Sequence, residues 1–119
     1  MRGSILLSVL MALPLAAQGP EMYPLGPDSQ VKPGVPQGTI TKYEWSSSKI
    51  FPGTTRDYWT YVPAQYNANK PAAVMIFQDG GGMIARDGRW RVPVVLDNLI
   101  ASGELPVIIG IFINPGVMP

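Results

Sequence analysis

The stretch Ala72-Ala73-Val74-Met75-Ile76-Phe77-Gln78-Asp79-Gly80-Gly81-Gly82-Met83 joins a strand-like apolar run to three successive glycines. Glycine tolerates backbone angles closed to other residues, so such a turn can aim several main-chain N–H groups at one point. Convergent N–H donors are what an acyl-transfer enzyme uses to stabilise a developing oxyanion, and losing one costs about 3–4 kcal/mol of transition-state stabilisation. One donor of that pair commonly comes from a strand-to-helix loop and the other from the residue after the nucleophile. Gly80 and Gly81 are therefore the candidate catalytic amides, with Gln78, Asp79 and Gly82 as candidate substrate-binding neighbours. The same glycines also suit a tight turn that only redirects the chain into a helix.

The rest of an acyl-transfer site is not written here. The chain has no histidine and no cysteine, which removes the usual general base, a thiolate nucleophile and the commonest metal ligands. No Gly-x-Ser-x-Gly elbow occurs, and Ser46 to Ser48 read as turn residues. A phosphate cradle would need a Lys-Ser/Thr pair or a spaced Gly-x-Gly-x-x-Gly, and neither is present. Asp79 and Asp87 lack the oxygen-rich loop that a divalent ion requires, so neither a metal nor a cofactor is expected. Asp79 is instead expected to tether the glycine turn by accepting backbone N–H groups. A net charge of +1, with only Arg86, Arg89 and Arg91 close together, argues against a nucleic-acid partner. Trp45, Tyr58, Trp59 and Tyr61 fit cross-strand packing in a hairpin, or an aromatic platform for sugar or aryl groups.

These residues need elements to hold them, and the pattern supplies an α/β order. Thr39–Trp45 and Arg56–Val62 are rich in Thr, Tyr, Ile and Trp and flank a Pro52-Gly53 pair suited to a type II turn. They predict an antiparallel edge hairpin. Ala72 to Phe77 is continuously apolar, as for a strand covered on both faces. Val92, Val95, Leu96, Leu99 and Ile100 then recur at helical spacing, with Pro93 suited to the first turn and Gly103 to the stop. Pro106 to Ile113 is a second apolar strand, ended by Asn114-Pro115-Gly116. Strand, glycine turn, helix, strand is a βαβ unit, which sets two strands parallel in one sheet. One helix cannot cover both faces of such a sheet, so the unit is expected to be incomplete, with Phe112 and the isoleucines of the last strand short of packing partners.

Composition agrees with a core-forming chain: of 119 residues 46% are hydrophobic and 14% charged. Residues 1–19 predict an export signal. Arg2 precedes an apolar stretch from Ile5 to Leu15, and small residues Ala16, Ala17 and Gly19 follow. That stretch is short for a membrane span, so a secreted or periplasmic protein without stable membrane insertion is expected. Residues 20–38 carry closely spaced prolines and glycines and predict an extended leader on the domain or a linker from the signal.

Three segments together resemble a known family. They are Arg56-Asp57-Tyr58-Trp59-Thr60-Tyr61-Val62-Pro63-Ala64-Gln65-Tyr66, the run Ala73 to Gly82, and Val107-Ile108-Ile109-Gly110-Ile111-Phe112-Ile113-Asn114-Pro115-Gly116. In this order they are similar to the N-terminal third of an esterase family of α/β hydrolases that includes enterochelin-esterase-like and feruloyl-esterase-like secreted enzymes. The resemblance covers about residues 39 to 116 and assigns 39–119 to the N-terminal part of an esterase domain. It implies a serine-ester mechanism on a small-molecule ester, with Asp79, Gly80, Gly81 and Gly82 as the oxyanion loop. It also implies a serine, an acid and a histidine later in the chain. None of these has a counterpart here, so a fragment inactive by itself is expected. The competing expectation is a small exported carbohydrate-binding module without catalysis, using the hairpin aromatics.

Overall fold

A computed structural model describes residues 24–118, so the expected export signal lies outside the described residues. Four strands form one sheet: β1 (Thr39–Trp45), β2 (Arg56–Val62), β3 (Ala73–Gln78) and β4 (Ile108–Ile113). One helix, α1 (Val92–Ala101), links β3 to β4. The strand order is β1-β2-β4-β3. β1 pairs antiparallel with β2, β2 antiparallel with β4, and β3 parallel with β4.

Local chemistry accounts for these elements. In the β1–β2 connection, Thr54 N–H donates to Phe51 O at 3.2 Å and Gly53 sits at φ +83°. That is the type II geometry a Pro-Gly pair favours. At the next turn, Lys70 N–H donates to Asn67 O, and Asn69 N–H donates to the Asn67 side chain at 2.9 Å. Pro93 lies in the first turn of α1, where a missing N–H costs nothing, and Gly103 beyond its end takes φ +76°.

The core lies between the sheet and α1. Tyr61, Leu96, Ile100, Ile108 and Phe112 are buried together, with Ile40, Trp59, Phe77, Val92 and Leu105 packed around them. Register explains the grouping. Ile40 opposes Tyr61, Trp59 opposes Phe112 and Phe77 opposes Phe112, so all of them project to one face. Phe77 and Phe112 stack with centroids 4.4 Å apart. Gly110 makes room there, since a Cβ would come within 2.8 Å of the Phe112 ring.

Two expectations change. Phe112 does not lack partners; it is fully buried, because β4 is an inner strand between β2 and β3. The deficit falls on β3, which was expected to be covered on both faces. Among the described residues β3 has a neighbour on one side only, and Val74 and Ile76 are 59% and 62% exposed.

The described part of the leader, residues 24–38, packs on the domain rather than hanging as a linker. Buried Asn98 on α1 donates through Nδ2 to Asp28 O at 2.8 Å and Gln30 O at 2.9 Å. Asp97 beside it accepts from Gly38 N–H at 2.8 Å. Val94, Asp97 and Asn98 are therefore buried on a flank of α1 that apolar spacing does not mark.

Candidate active site at the C-terminal rim of the parallel strands

In an open α/β sheet, ligands bind where chains leave the carboxyl ends of parallel strands. Here β3 and β4 end side by side, Gln78 opposite Ile113, so Asp79–Gly82 and Asn114 share one rim. After Gln78 the chain turns at Asp79, at φ 53° and ψ 33°, into a single 3-10 turn over Gly80–Gly82. Asp tolerates this left-handed conformation better than most residues. The glycine amides lie outside the β-ladder, as an oxyanion loop requires.

The three glycines differ. Gly80 is buried against β4, and a Cβ there would lie 2.6 Å from Phe112 Cα. Only a residue without a side chain permits this approach, which seats the turn on the sheet. Gly81 N–H points across the rim and donates to Asn114 Oδ1 at 2.9 Å. Gly82 N–H turns inward to Asp79 O at 3.4 Å, and Met83 N–H reaches Gly80 O at 2.9 Å. Gln78 and Asp79 are exposed beside the turn. The Asp79 side chain makes no capping bond to the turn, so the expected tether is supplied by Asn114 instead.

Asn114 is the site residue that sequence reasoning missed. It read as part of a strand-ending Asn-Pro-Gly. The available signal was positional: in a βαβ unit, the residue after the second strand sits beside the turn after the first. Its own backbone is fixed, because Asn114 N–H donates to Asp57 O at 3.0 Å.

A buried polar cluster holds the loop behind the site. Asp97 Oδ1 accepts from the Tyr61 hydroxyl and from Gly38 N–H, both at 2.8 Å, and Oδ2 accepts from Arg86. Arg86 also donates to Gly38 O at 2.8 Å. Leader, β2, α1 and the loop after the glycines thus meet at one carboxylate. Burial, reinforced by the bond to Asp97, pushes the Tyr61 hydroxyl far above its ordinary pKa, so it stays a neutral donor. The loop closes on α1 through Arg91, at φ 48°, whose guanidinium donates to Gly88 O at 2.9 Å.

The hairpin aromatics are spread over different surroundings. Tyr61 is in the core, Tyr43 and Tyr58 stack at 5.1 Å, and Arg56 and Lys42 sit over Trp45 and Trp59. They make cross-strand contacts rather than one open platform. Among the described residues no three His, Cys, Asp or Glu side chains group to hold a metal ion, and no helix is long and apolar enough to cross a membrane.

No protein-family model matches the chain. Solved structures do resemble it. One is a mutant feruloyl esterase module from Clostridium thermocellum complexed with sinapinate, at 23% identity and TM-score 0.57, covering 78% of this chain and 31% of that one. Another is a ferulic acid esterase from Anaeromyces mucronatus in complex with ferulic acid, at 20% identity and TM-score 0.56, covering 71% and 31%. The chain thus spans about a third of the length of these structures. With its mixed four-stranded sheet and single crossover helix, it has a partial, incomplete α/β-hydrolase fold.

Proposed function

We propose that this chain forms the oxyanion-loop side of an exported serine carboxylic-ester hydrolase. The observation that carries the reading is the Gly81 amide. It leaves the end of a parallel strand, lies outside the β-ladder, and already binds an sp² carbonyl oxygen at 2.9 Å. An ester carbonyl oxygen presents the same acceptor, and gains charge during attack, so this donor acts more strongly on the transition state than on the ground state.

With no histidine in the chain, the general base, together with the nucleophile and the acid, comes from polypeptide outside these residues. Serine attack on the ester carbon gives a tetrahedral intermediate, its oxyanion facing Gly81 and the amide after the nucleophile. Collapse expels the alcohol, and water then releases the acid. Esters of hydroxycinnamic acids are the substrate class, on the likeness to structures described with ferulic acid and sinapinate.

The natural polypeptide, purified from its source, tests this directly. Hydrolysis of methyl ferulate and p-nitrophenyl acetate, together with covalent labelling by a fluorophosphonate, is the expected result. Absence of both hydrolysis and labelling overturns the proposal.

A further inference from the structure

Asn114 does something a simple strand-ending residue does not: its carboxamide oxygen accepts from the Gly81 amide at the rim. An amide N–H has a single proton, so a strong bond to Asn114 and a strong bond to a substrate oxygen exclude one another. The fit is close. A Cβ on Gly81 would meet Asn114 Oδ1 at 2.6 Å and Nδ2 at 2.9 Å, so the whole carboxamide lies over Gly81. Asn114 is half-buried, its main chain pinned to β2 through Asp57 O, while its side chain has only this bond among the described residues. A backbone fixed on one side and a side chain held by one hydrogen bond make a part that can swing.

We propose that Asn114 is a built-in stand-in for substrate: in the resting site its Oδ1 caps the Gly81 amide, and an entering ester carbonyl displaces it. The inference rests on the ester-hydrolase reading and names a positioning residue within it. The carboxamide keeps the turn ordered and the amide aimed at a carbonyl oxygen before substrate arrives. It weakens binding by the strength of one neutral hydrogen bond, which is small because the displaced group is uncharged. A carboxylate at the same place behaves oppositely. It holds the N–H more tightly and repels a developing oxyanion.

Two variants of the natural polypeptide separate this role from a merely structural tether. Asn114→Ala frees the amide and raises kcat/KM for p-nitrophenyl acetate by up to roughly fivefold, chiefly through a lower KM. In ¹⁵N-labelled protein the Gly81 amide proton moves upfield and exchanges faster. Asn114→Asp, nearly isosteric and retaining an acceptor, lowers kcat/KM by about a hundredfold or more, chiefly in kcat. It stays readable if the alanine variant fails to fold. A structural tether gives the reverse order, with the aspartate variant near wild type and the alanine variant impaired. That order, in an active wild-type enzyme, overturns this inference alone. A wild-type protein that hydrolyses no ester overturns the ester-hydrolase reading and this inference with it.

Discussion

Gly80 and Gly81 are adjacent and chemically identical, yet their surroundings give them different tasks. At Gly80 an added methyl meets the backbone of β4, which cannot move aside without shifting the strand. Gly80→Ala is expected to destabilise the fold by about 1–3 kcal/mol, the usual cost of overpacking, read as a lower denaturant midpoint. At Gly81 the nearest atoms to the methyl belong to the end of the Asn114 side chain, which can rotate away. Gly81→Ala should therefore cost less stability. Tyr61 gives a prediction in pH. Its folded-state pKa is raised, so above the ordinary tyrosine value near 10 the unfolded chain loses a proton that the folded one keeps. Stability is full below that pH and falls as pH rises beyond it. Tyr61→Phe should remove this alkaline loss, seen by comparing urea midpoints at pH 9 and pH 11. Asp97→Ala leaves the Arg86 guanidinium, the Tyr61 hydroxyl and Gly38 N–H without their shared acceptor. A loss of about 3 kcal/mol is expected, at the lower end for a broken buried pair because Arg86 is partly exposed.

At the scale of elements, the strands of the hairpin are readable because Thr, Tyr, Ile and Trp content and a Pro-Gly turn agree. Helix α1 was readable from Val92, Leu96 and Ile100, which do face the sheet. Its second covered flank was not, because Asp97 and Asn98 are polar and their burial depends on leader carbonyls and amides about sixty to seventy residues away in sequence. Gly80 and Gly81 were legible as a turn with spare amides, whereas the Gly81–Asn114 bond depends on tertiary register between β3 and β4. Apolar composition also put the shortage of packing partners on the last strand, whereas it falls on the edge strand β3. A strand with one free edge that carries the exposed Val74, Met75 and Ile76 is a template for self-association. Ile76→Lys puts a charge on that edge at a largely exposed position. It should change stability by no more than about 0.5 kcal/mol while reducing concentration-dependent light scattering.

For the molecule as a whole, the sheet has one covered face and, among the described residues, one open one. Tyr61, Phe112 and Ile108 sit under α1, while Val74 and Ile76 project to the other side beside Ile109 and Ile111. The glycine turn, Asn114 and the exposed Gln78 and Asp79 lie together at one end of β3 and β4. This is the location an oxyanion loop needs, and the Asp97 cluster anchors the segment that follows it to leader, helix and sheet. The most direct test is the Gly81 amide resonance in the ¹⁵N-labelled natural polypeptide before and after complete phosphorylation by diethyl p-nitrophenyl phosphate. The phosphoryl oxygen of that adduct occupies the oxyanion position. The Gly81 proton is expected to shift downfield and become protected from exchange as it leaves Asn114 for the strongly polarised phosphoryl oxygen. A fully phosphorylated protein with an unmoved Gly81 resonance would contradict it.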